Sequence, residues 1–423
     1  MRFRIAQFLR ILAIALAAVG FAAAARWSLR LGWADYWFRQ ETLEGTRKAL
    51  AITPGQASYY YRLALLYSED DPVRAIDSLE RALALNPADA QSWIDLGLQY
   101  ETAGDHSRAE RCLLRAASED AGYLPRWTLA NYYFRRDDSP RFWFWAKQAA
   151  AMAYGDPLPL FRLCGQMEED GNLIDRLAIR SPSVRAGYLS YLAGQNRIDL
   201  LGPPAQRVLE ENRESDTPLL LAVCDRLLDQ SAVGQVPDLP TAGCVNEALA
   251  IWNRLAETHR IPFAPRSSAT GSLLINGSFP VAPTSRGFDW RMPEVEGISP
   301  ASEESPGGLR LTFSGRQPEV CEVLAQYVPV RENGRYKLSY RYRTSGIEPG
   351  TGLTWRIADS KRATSLGEGP NLSAEQETQN QLAFVTPPGC RLVRLSLDYR
   401  RSLGTTRITG FVVLRSIQLE TAN

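Results

Sequence analysis

Histidine is nearly absent from this chain: His106 and His259 are the two among 423 residues. One falls in a turn and the other at the end of a helical stretch, where a solvated imidazole is ordinary, so histidine-based acid–base catalysis is not expected. HExxH, GxSxG, GxxxxGK[ST] and a GxGxxG following a strand are also missing. That removes the sequence-readable zinc peptidases, α/β-hydrolases, P-loop enzymes and dinucleotide enzymes. The six cysteines, at 112, 164, 224, 244, 321 and 390, contain no CxxC pair, which excludes the usual zinc-ribbon and thioredoxin spacings. Cys112 is expected to pack as a small apolar residue, while Cys224 with Cys244, or Cys321 with Cys390, are pairings that an oxidising compartment would permit and that sequence does not decide. Net charge is lacking too: 48 basic residues against 47 acidic ones leave +1, with no global field to draw nucleic acid. The run Glu168-Glu169-Asp170 reads as a solvated helix end, because consecutive helical residues point in different directions and make a poor acid–base pair. Paired carboxylates of a glycosidase would be a spatial signature that residue order does not display. No enzymatic activity, cofactor, metal or nucleic-acid partner is therefore expected.

What is present begins at the amino terminus. Arg2, Arg4 and Arg10 precede an apolar run from Ile11 to Ala25, closed by Arg26. Its 15 residues match a signal-peptide core, whereas counting back through Arg10 to Ile5 makes 21, enough to cross a bilayer. Ala22 to Ala25 offer a small-residue cleavage site, but Trp27, Trp33, Tyr36 and Trp37 follow as interfacial aromatics. The primary reading of residues 1–30 is an uncleaved signal anchor; a cleaved signal peptide is the alternative and a buried soluble helix the third. Under either of the first two the bulk of the chain is exported. The expected location is the inner membrane of a Gram-negative bacterium, single-pass, with the bulk periplasmic.

One pattern of small and large residues then returns three times. The middle copy places Trp93, Leu96, Gly97, Tyr100, Gly104, Ala109, Leu113 and Ala116 in order. Tyr60, Leu63, Ala64, Tyr67, Ala75, Leu79, Ala82 and Pro87 form the copy before it, and Leu129, Ala130, Tyr133, Ala146 and Ala149 the copy after. The small residue of the first helix recurs at 64, 97 and 130, spacings of 33 and 33. These offsets resemble the tetratricopeptide (TPR) consensus, a helix–turn–helix unit of about 34 residues. The resemblance implies an all-α solenoid over residues 31–157, in which Gly or Ala lets paired helices approach and a concave face holds a protein partner. Ala49 and Pro54, each 33 residues before Ala82 and Pro87, suggest a degenerate leading repeat joined to the anchor without a linker. Residues 158–262 read as diverged helical hairpins that extend the solenoid, with a loop at Gly234 to Gly243.

Residues 263–272 form a turn-rich linker around Pro262, Pro265, Ser267, Ser268 and Gly271, and beyond it the hydrophobic period changes from 3.6 to 2. Tyr336, Leu338, Tyr340 and Tyr342 alternate with polar residues, as do Val393, Leu395, Leu397 and Tyr399. Further strands are expected at 309–313, 327–330, 353–357, 382–385 and 408–419, with Asn333-Gly334 as a tight hairpin turn. About eight short strands without a helix predict a β-sandwich or jelly roll over residues 273–423. The stretches Asn276-Gly277-Ser278-Phe279, Gly287-Phe288-Asp289-Trp290 and Gln326-Tyr327-Val328-Pro329-Val330 support this fold. With Tyr336-Lys337-Leu338-Ser339 and the closing strand 412–419, they resemble the galactose-binding-like jelly rolls of carbohydrate-binding modules. Many such modules hold a structural calcium through acidic residues in places that here carry Pro280 and Leu414-Arg415-Ser416.

The fold class is thus multidomain α plus β: an N-terminal membrane helix, an all-α TPR solenoid and a C-terminal all-β sandwich. Candidate ligand-facing residues on the solenoid are Tyr132, Trp143 and Trp145 with Arg135 and Arg136, since aromatic faces beside cations suit peptides or sugars. The bland alternative is that these aromatics fill the hairpin core. On the sandwich, Trp290, Trp355, Tyr340 and Tyr342 pose the same choice; an exposed Trp290 would stack on a pyranose ring with Asp289, Arg341 or Arg343 as polar partners. The combination predicts a non-enzymatic, membrane-anchored envelope adaptor. Its solenoid would bind a protein and its jelly roll a polysaccharide, in a polysaccharide synthesis, export or surface-assembly system. The alternative is a purely structural protein–protein scaffold that binds no sugar.

Overall fold

The computed structural model describes residues 2–153, 156–167, 173–233, 241–266, 272–303 and 307–422. The chain forms two compact units, residues 1–179 and 180–423. The expected hairpin region 158–262 is therefore divided, its first part falling with the solenoid and its remainder with the sandwich. The run Glu168-Glu169-Asp170, most of the loop 234–243, and Ser267, Ser268 and Gly271 of the linker lie outside the described residues.

The first unit is built from antiparallel helix pairs. Its elements are α1 (Arg2–Phe38), α2 (Leu43–Ile52), α3 (Ala57–Tyr67), α4 (Pro72–Leu85), α5 (Ala90–Thr102) and α6 (His106–Glu119). They continue as α7 (Tyr123–Arg135), α8 (Ser139–Met152), α9 (Leu158–Met167) and α10 (Leu173–Arg176). The repeated small residues do what their spacing predicts: Ala64 and Ala82 are each 2% exposed, and Ala116, Ala130 and Ala149 are fully buried. At Gly97 a Cβ atom would lie 2.8 Å from the Leu113 side chain, so only glycine permits α5 and α6 to meet there. Each second helix starts on an aspartate cap: Asp71, Asp105 and Asp138 accept the backbone N–H of Arg74, Arg108 and Arg141.

The apolar stretch and the solenoid share one helix. Leu12–Phe38 of α1 is long and apolar enough to cross a membrane, with mean hydropathy 1.7 and an unburied apolar window. Its last turns pack against α2 and α3 in a cluster of Ala34, Ala49 and Tyr59, and Gly45 of α2 approaches the Trp37 carbonyl so closely that a Cβ would sit 2.5 Å from that oxygen. The degenerate leading repeat is thus the end of α1 paired with α2.

The second unit starts with α11 (Pro182–Gly194), α12 (Gly202–Glu211), α13 (Thr217–Val233) and α14 (Thr241–Glu257). Nine strands follow: β1 (Ile298–Ser302), β2 (Leu309–Ser314), β3 (Val320–Pro329), β4 (Arg335–Ser345) and β5 (Leu353–Asp359), then β6 (Ser365–Glu368), β7 (Thr378–Val385), β8 (Leu392–Arg400) and β9 (Thr409–Thr421). They form antiparallel sheets of order β1-β2-β9-β4-β7 and β3-β8-β5-β6. The inner faces meet in one core that includes Trp290, Trp355, Tyr340, Tyr342, Leu397 and Val412.

Two strand expectations are corrected. Asn333-Gly334 does not turn a hairpin, because β3 pairs with β8 in one sheet while β4 pairs with β7 and β9 in the other. Asn333 takes the left-handed conformation, and Gly334 is pinned by its N–H on Thr386 Oγ1 at 2.9 Å, so the turn carries the chain between sheets. The strands β1 and β6 were not anticipated; both are short edges, and the Ile-Ser-Pro-Ala-Ser of β1 carries a proline that an edge strand tolerates.

Neither of the cysteine pairs left open forms: all six are free thiols, five of them buried. In β3 and β8 the register sets Cys321 opposite Tyr399, which leaves Cys390 nine residues back along the chain, just before β8 begins, about 30 Å away at strand pitch.

Candidate functional site

In the solenoid, tyrosines and arginines at the repeat spacing form a network joining successive helix pairs. Arg74, Arg108 and Arg141 each return their guanidinium to the capping aspartate three residues earlier, at 3.1, 3.3 and 2.8 Å. The same guanidinium groups lie over Tyr67, Tyr100 and Tyr133, at 5.7, 5.3 and 5.0 Å from the ring centres. Tyr100 donates to Glu80 at 2.6 Å and Tyr133 to Glu110 at 2.8 Å, each reaching the second helix of the preceding pair. Burial, and then the hydrogen bond to Glu110, push the Tyr133 phenol up to about 12. These groups are satisfied by one another. They build the solenoid.

The structure separates the sequence-predicted solenoid residues. Tyr132 is 2% exposed and donates its hydroxyl to the His106 carbonyl, so its ring is core and not a ligand platform. Arg135 makes a two-pronged contact with Glu101 at 2.9 and 2.7 Å. Trp143 is half-buried beneath Arg176, whose guanidinium lies 4.0 Å from the ring centre, and Trp145 is half-buried edge-on to the exposed Phe144. Only Tyr132 and Arg136 come together, on a small polar pocket of about 240 Å³ with His106, Glu110 and Arg141.

A larger opening was not anticipated. Between α4, α5 and α6 lies an open groove of about 600 Å³. Leu83, Leu96, Tyr100 and Cys112 are its buried lining, Trp93 is half-buried beside them, and Arg108, Arg111 and Arg115 are exposed around it. Arg108 and Arg115 are engaged by Asp105 and Glu119, while Arg111 has no ion pair among the described residues. The first helices, by contrast, are tied together by Tyr61 donating to Asp95 at 2.8 Å and by the Arg135–Glu101 pair.

In the sandwich, the motif singled out for sugar binding proves to be internal. Trp290 is fully buried, donates Nε1 to the Asn276 carbonyl at 3.0 Å, and packs against Phe279 and Trp355. Trp355 is equally buried, between Trp290 and Tyr340, and Tyr340 and Tyr342 are core residues. Asp289 is fully buried; its carboxylate accepts from the Thr284 N–H at 2.7 Å, the Thr284 hydroxyl at 2.9 Å and Asn276 Nδ2 at 3.1 Å. Burial raises the Asp289 pKa against the pull of those donors. None of these residues can meet a pyranose ring, because a two-sheet core of this size needs its large aromatics inside.

The remainder of that motif docks the helices. Asp225 of α13 accepts from the Gly287 N–H at 2.7 Å, from Arg291 at 2.9 Å and from Arg286 at 3.1 Å. Phe288 is buried edge-on to Trp252 of α14, and a Cβ at Gly287 would strike the Trp252 ring at 2.5 Å. This contact explains why the helices from residue 180 onward belong with the sandwich.

Of the sugar candidates only Arg341 and Arg343 reach solvent, on the outer face of the five-stranded sheet. Here β9 carries a bulge: Ser416 faces Arg341 and Leu414 faces Tyr342, so Arg415 is the extra residue. It joins Arg310 of β2 and Arg343 of β4, which flank Val413 in register. Val413 is fully buried yet outside the core. Arg310 lies 3.7 Å over the Phe411 ring. Among the described residues, two carboxylates stand among the four guanidinium groups. Glu303 is 3.1 Å from Arg415, 3.6 Å from Arg343 and 3.9 Å from Arg310; Glu377 is 3.6 Å from Arg341 and 3.7 Å from Arg415. No group of three metal-ligating side chains gathers among the described residues.

No protein-family model and no curated protein matches the chain. Among solved structures the chain is similar to that titled "Crystal structure of MamA", at 23% identity and TM-score 0.26 over 28% of this chain and 74% of that one. It is similar to "CBM4 structure and function" at 10% identity and TM-score 0.29, over 35% of this chain and 98% of that one. A third likeness is to YrrB, described as a TPR protein with an unusual peptide-binding site, at 15% identity and TM-score 0.23, over 51% of this chain and 93% of that one.

Proposed function

We propose that this chain is a non-enzymatic, membrane-anchored adaptor of the bacterial envelope. In this reading α1 holds it in the inner membrane with the bulk of the chain periplasmic, the solenoid takes a segment of a partner protein, and the sandwich contacts a glycan during polysaccharide synthesis, export or surface assembly. The observation that carries the reading is the groove between α4, α5 and α6, whose apolar lining and arginine rim suit an apolar peptide segment flanked by acidic residues. A photo-crosslinking residue at Ala84, in the full chain in native membranes, is expected to give a discrete protein adduct that disappears when Arg111→Glu and Arg115→Glu reverse the rim. Adducts identical to those from a crosslinker at the fully exposed Leu403 would remove the partner half of the proposal. The scaffold that binds no sugar is the second reading, and the burial of Trp290 and Trp355 favours it.

A further inference from the structure

The outer face of the five-stranded sheet combines two chemistries that its folding does not require. We propose that this face binds an acidic polysaccharide, its carboxylate groups held by Arg310, Arg341, Arg343 and Arg415; the inference rests on the glycan half of the adaptor reading and names its ligand class.

The first observation is charge that stays open. Among the described residues four guanidinium groups face two carboxylates, and four of the five pairings are 3.6 Å or longer, beyond hydrogen-bond reach. Arg310, Arg341 and Arg343 make no hydrogen bond to any described residue; their ion pairs with Glu303 and Glu377 are long, and Arg310 and Arg343 lie over the Phe411 ring, so N–H groups on each fork can still donate to a carboxylate. Arg415 is only 10% exposed, held by the Gly307 carbonyl, and its Nε is buried without a hydrogen-bond partner. A bulge has placed a nearly buried cation at the centre of an outward face, where an aliphatic residue would have covered Val413 at less desolvation cost.

The second observation is what lies beside the arginines. In register with Ser339 stand Gln381 on β7 and Gln418 on β9, and Gln379 faces Arg341; all three glutamines are exposed. Neutral amides that both donate and accept suit the closely spaced hydroxyl groups of a sugar polymer, whereas an anionic polypeptide offers them only its backbone amides. Cations and amides side by side on one outward face fit an extended polymer bearing carboxylates and hydroxyls together.

The test uses the full chain in detergent with polygalacturonate as probe, xylan as the neutral glycan and polyglutamate as the anionic polypeptide. Polygalacturonate is expected to bind, and to weaken at least tenfold as salt rises from about 0.05 to about 0.5 M and the screening length contracts. The double variant Arg310→Gln/Arg343→Gln should weaken binding about tenfold or more, and Gln381→Ala/Gln418→Ala severalfold, with thermal unfolding unchanged in both. Polyglutamate binding as tightly as polygalacturonate overturns the saccharide assignment, and an unaffected arginine variant overturns the site. If xylan binds and polygalacturonate does not, this inference fails while the glycan half of the adaptor reading survives. If no probe binds, both fail.

Discussion

The arginine contact that recurs through the first unit differs in range from the arginine clusters of the second. In residues 1–179, Arg74, Arg108 and Arg141 are each engaged by an aspartate three residues earlier and by the nearby tyrosine ring, so every copy of the contact is local. In residues 180–423, Asp225 gathers Arg286, Gly287 and Arg291 from 61, 62 and 66 positions away, and the outer sheet face collects its arginines from β2, β4 and β9. Repeats stabilise themselves neighbour by neighbour, whereas the sandwich unit depends on contacts that exist only once the whole has assembled. Damage should therefore be graded in the first unit and severe in the second.

The largest effect is expected from Trp290→Ala, which empties the centre of the sandwich and should cost about 3–5 kcal/mol in denaturant unfolding. A variant of unchanged stability would show that the ring is not the keystone of this core. Next, Asp225→Ala leaves the Arg291 guanidinium and the Gly287 N–H without their partner and should cost about 3 kcal/mol. A cycle with Trp252→Ala would then show coupling between the ionic and aromatic halves of the helix-docking contact. In the solenoid, Gly97→Ala forces a Cβ against Leu113 and should cost about 1–3 kcal/mol. Arg108→Gln, at an exposed pair, should cost less than about 1 kcal/mol, and a larger loss would overturn the view that the repeat network is graded.

The smallest effect is one that both units should share. Burial pushes the thiols of Cys164, in the first unit, and Cys390, in the second, each up to about 12, because the thiolate would lose its water. Folding thus favours the protonated thiols. That contribution is fully present below the ordinary thiol pKa and is lost as pH rises through 12. At pH 8 maleimide should leave both unlabelled in the folded chain and label all six cysteines in denaturant; rapid labelling of the folded protein at either site would contradict its burial.

How legible each unit is follows from the same contrast. The small residues at 64, 97 and 130 announce the solenoid because helix pairing there depends on residues within one repeat. The recurring Tyr–Asp–Arg set was equally available, since Asp71, Asp105 and Asp138 each precede an arginine by three positions. In the sandwich, alternation located seven strands but not the edges β1 and β6, whose short sequences bury little. Asn333-Gly334 carried a genuine turn signal, yet a turn does not state whether the next strand joins the same sheet. Nor did the aromatic motif state its direction. Trp290 next to Asp289 looks the same in sequence whether it faces sugar or core, and only the three donors converging on Asp289 decide it.

By itself the sequence determined the order of parts: an apolar helix, a solenoid with a repeat near 33 residues, and an alternating all-β region, because hydrophobic period is a local property. The tertiary structure alone decided that the α13–α14 helices dock on the sandwich, that its predicted sugar ligands lie inside it, and that four arginines share its outer face. Those outcomes depend on strand order and on one bulged residue, Arg415, and sheet pairing is a nonlocal choice that residue order does not display.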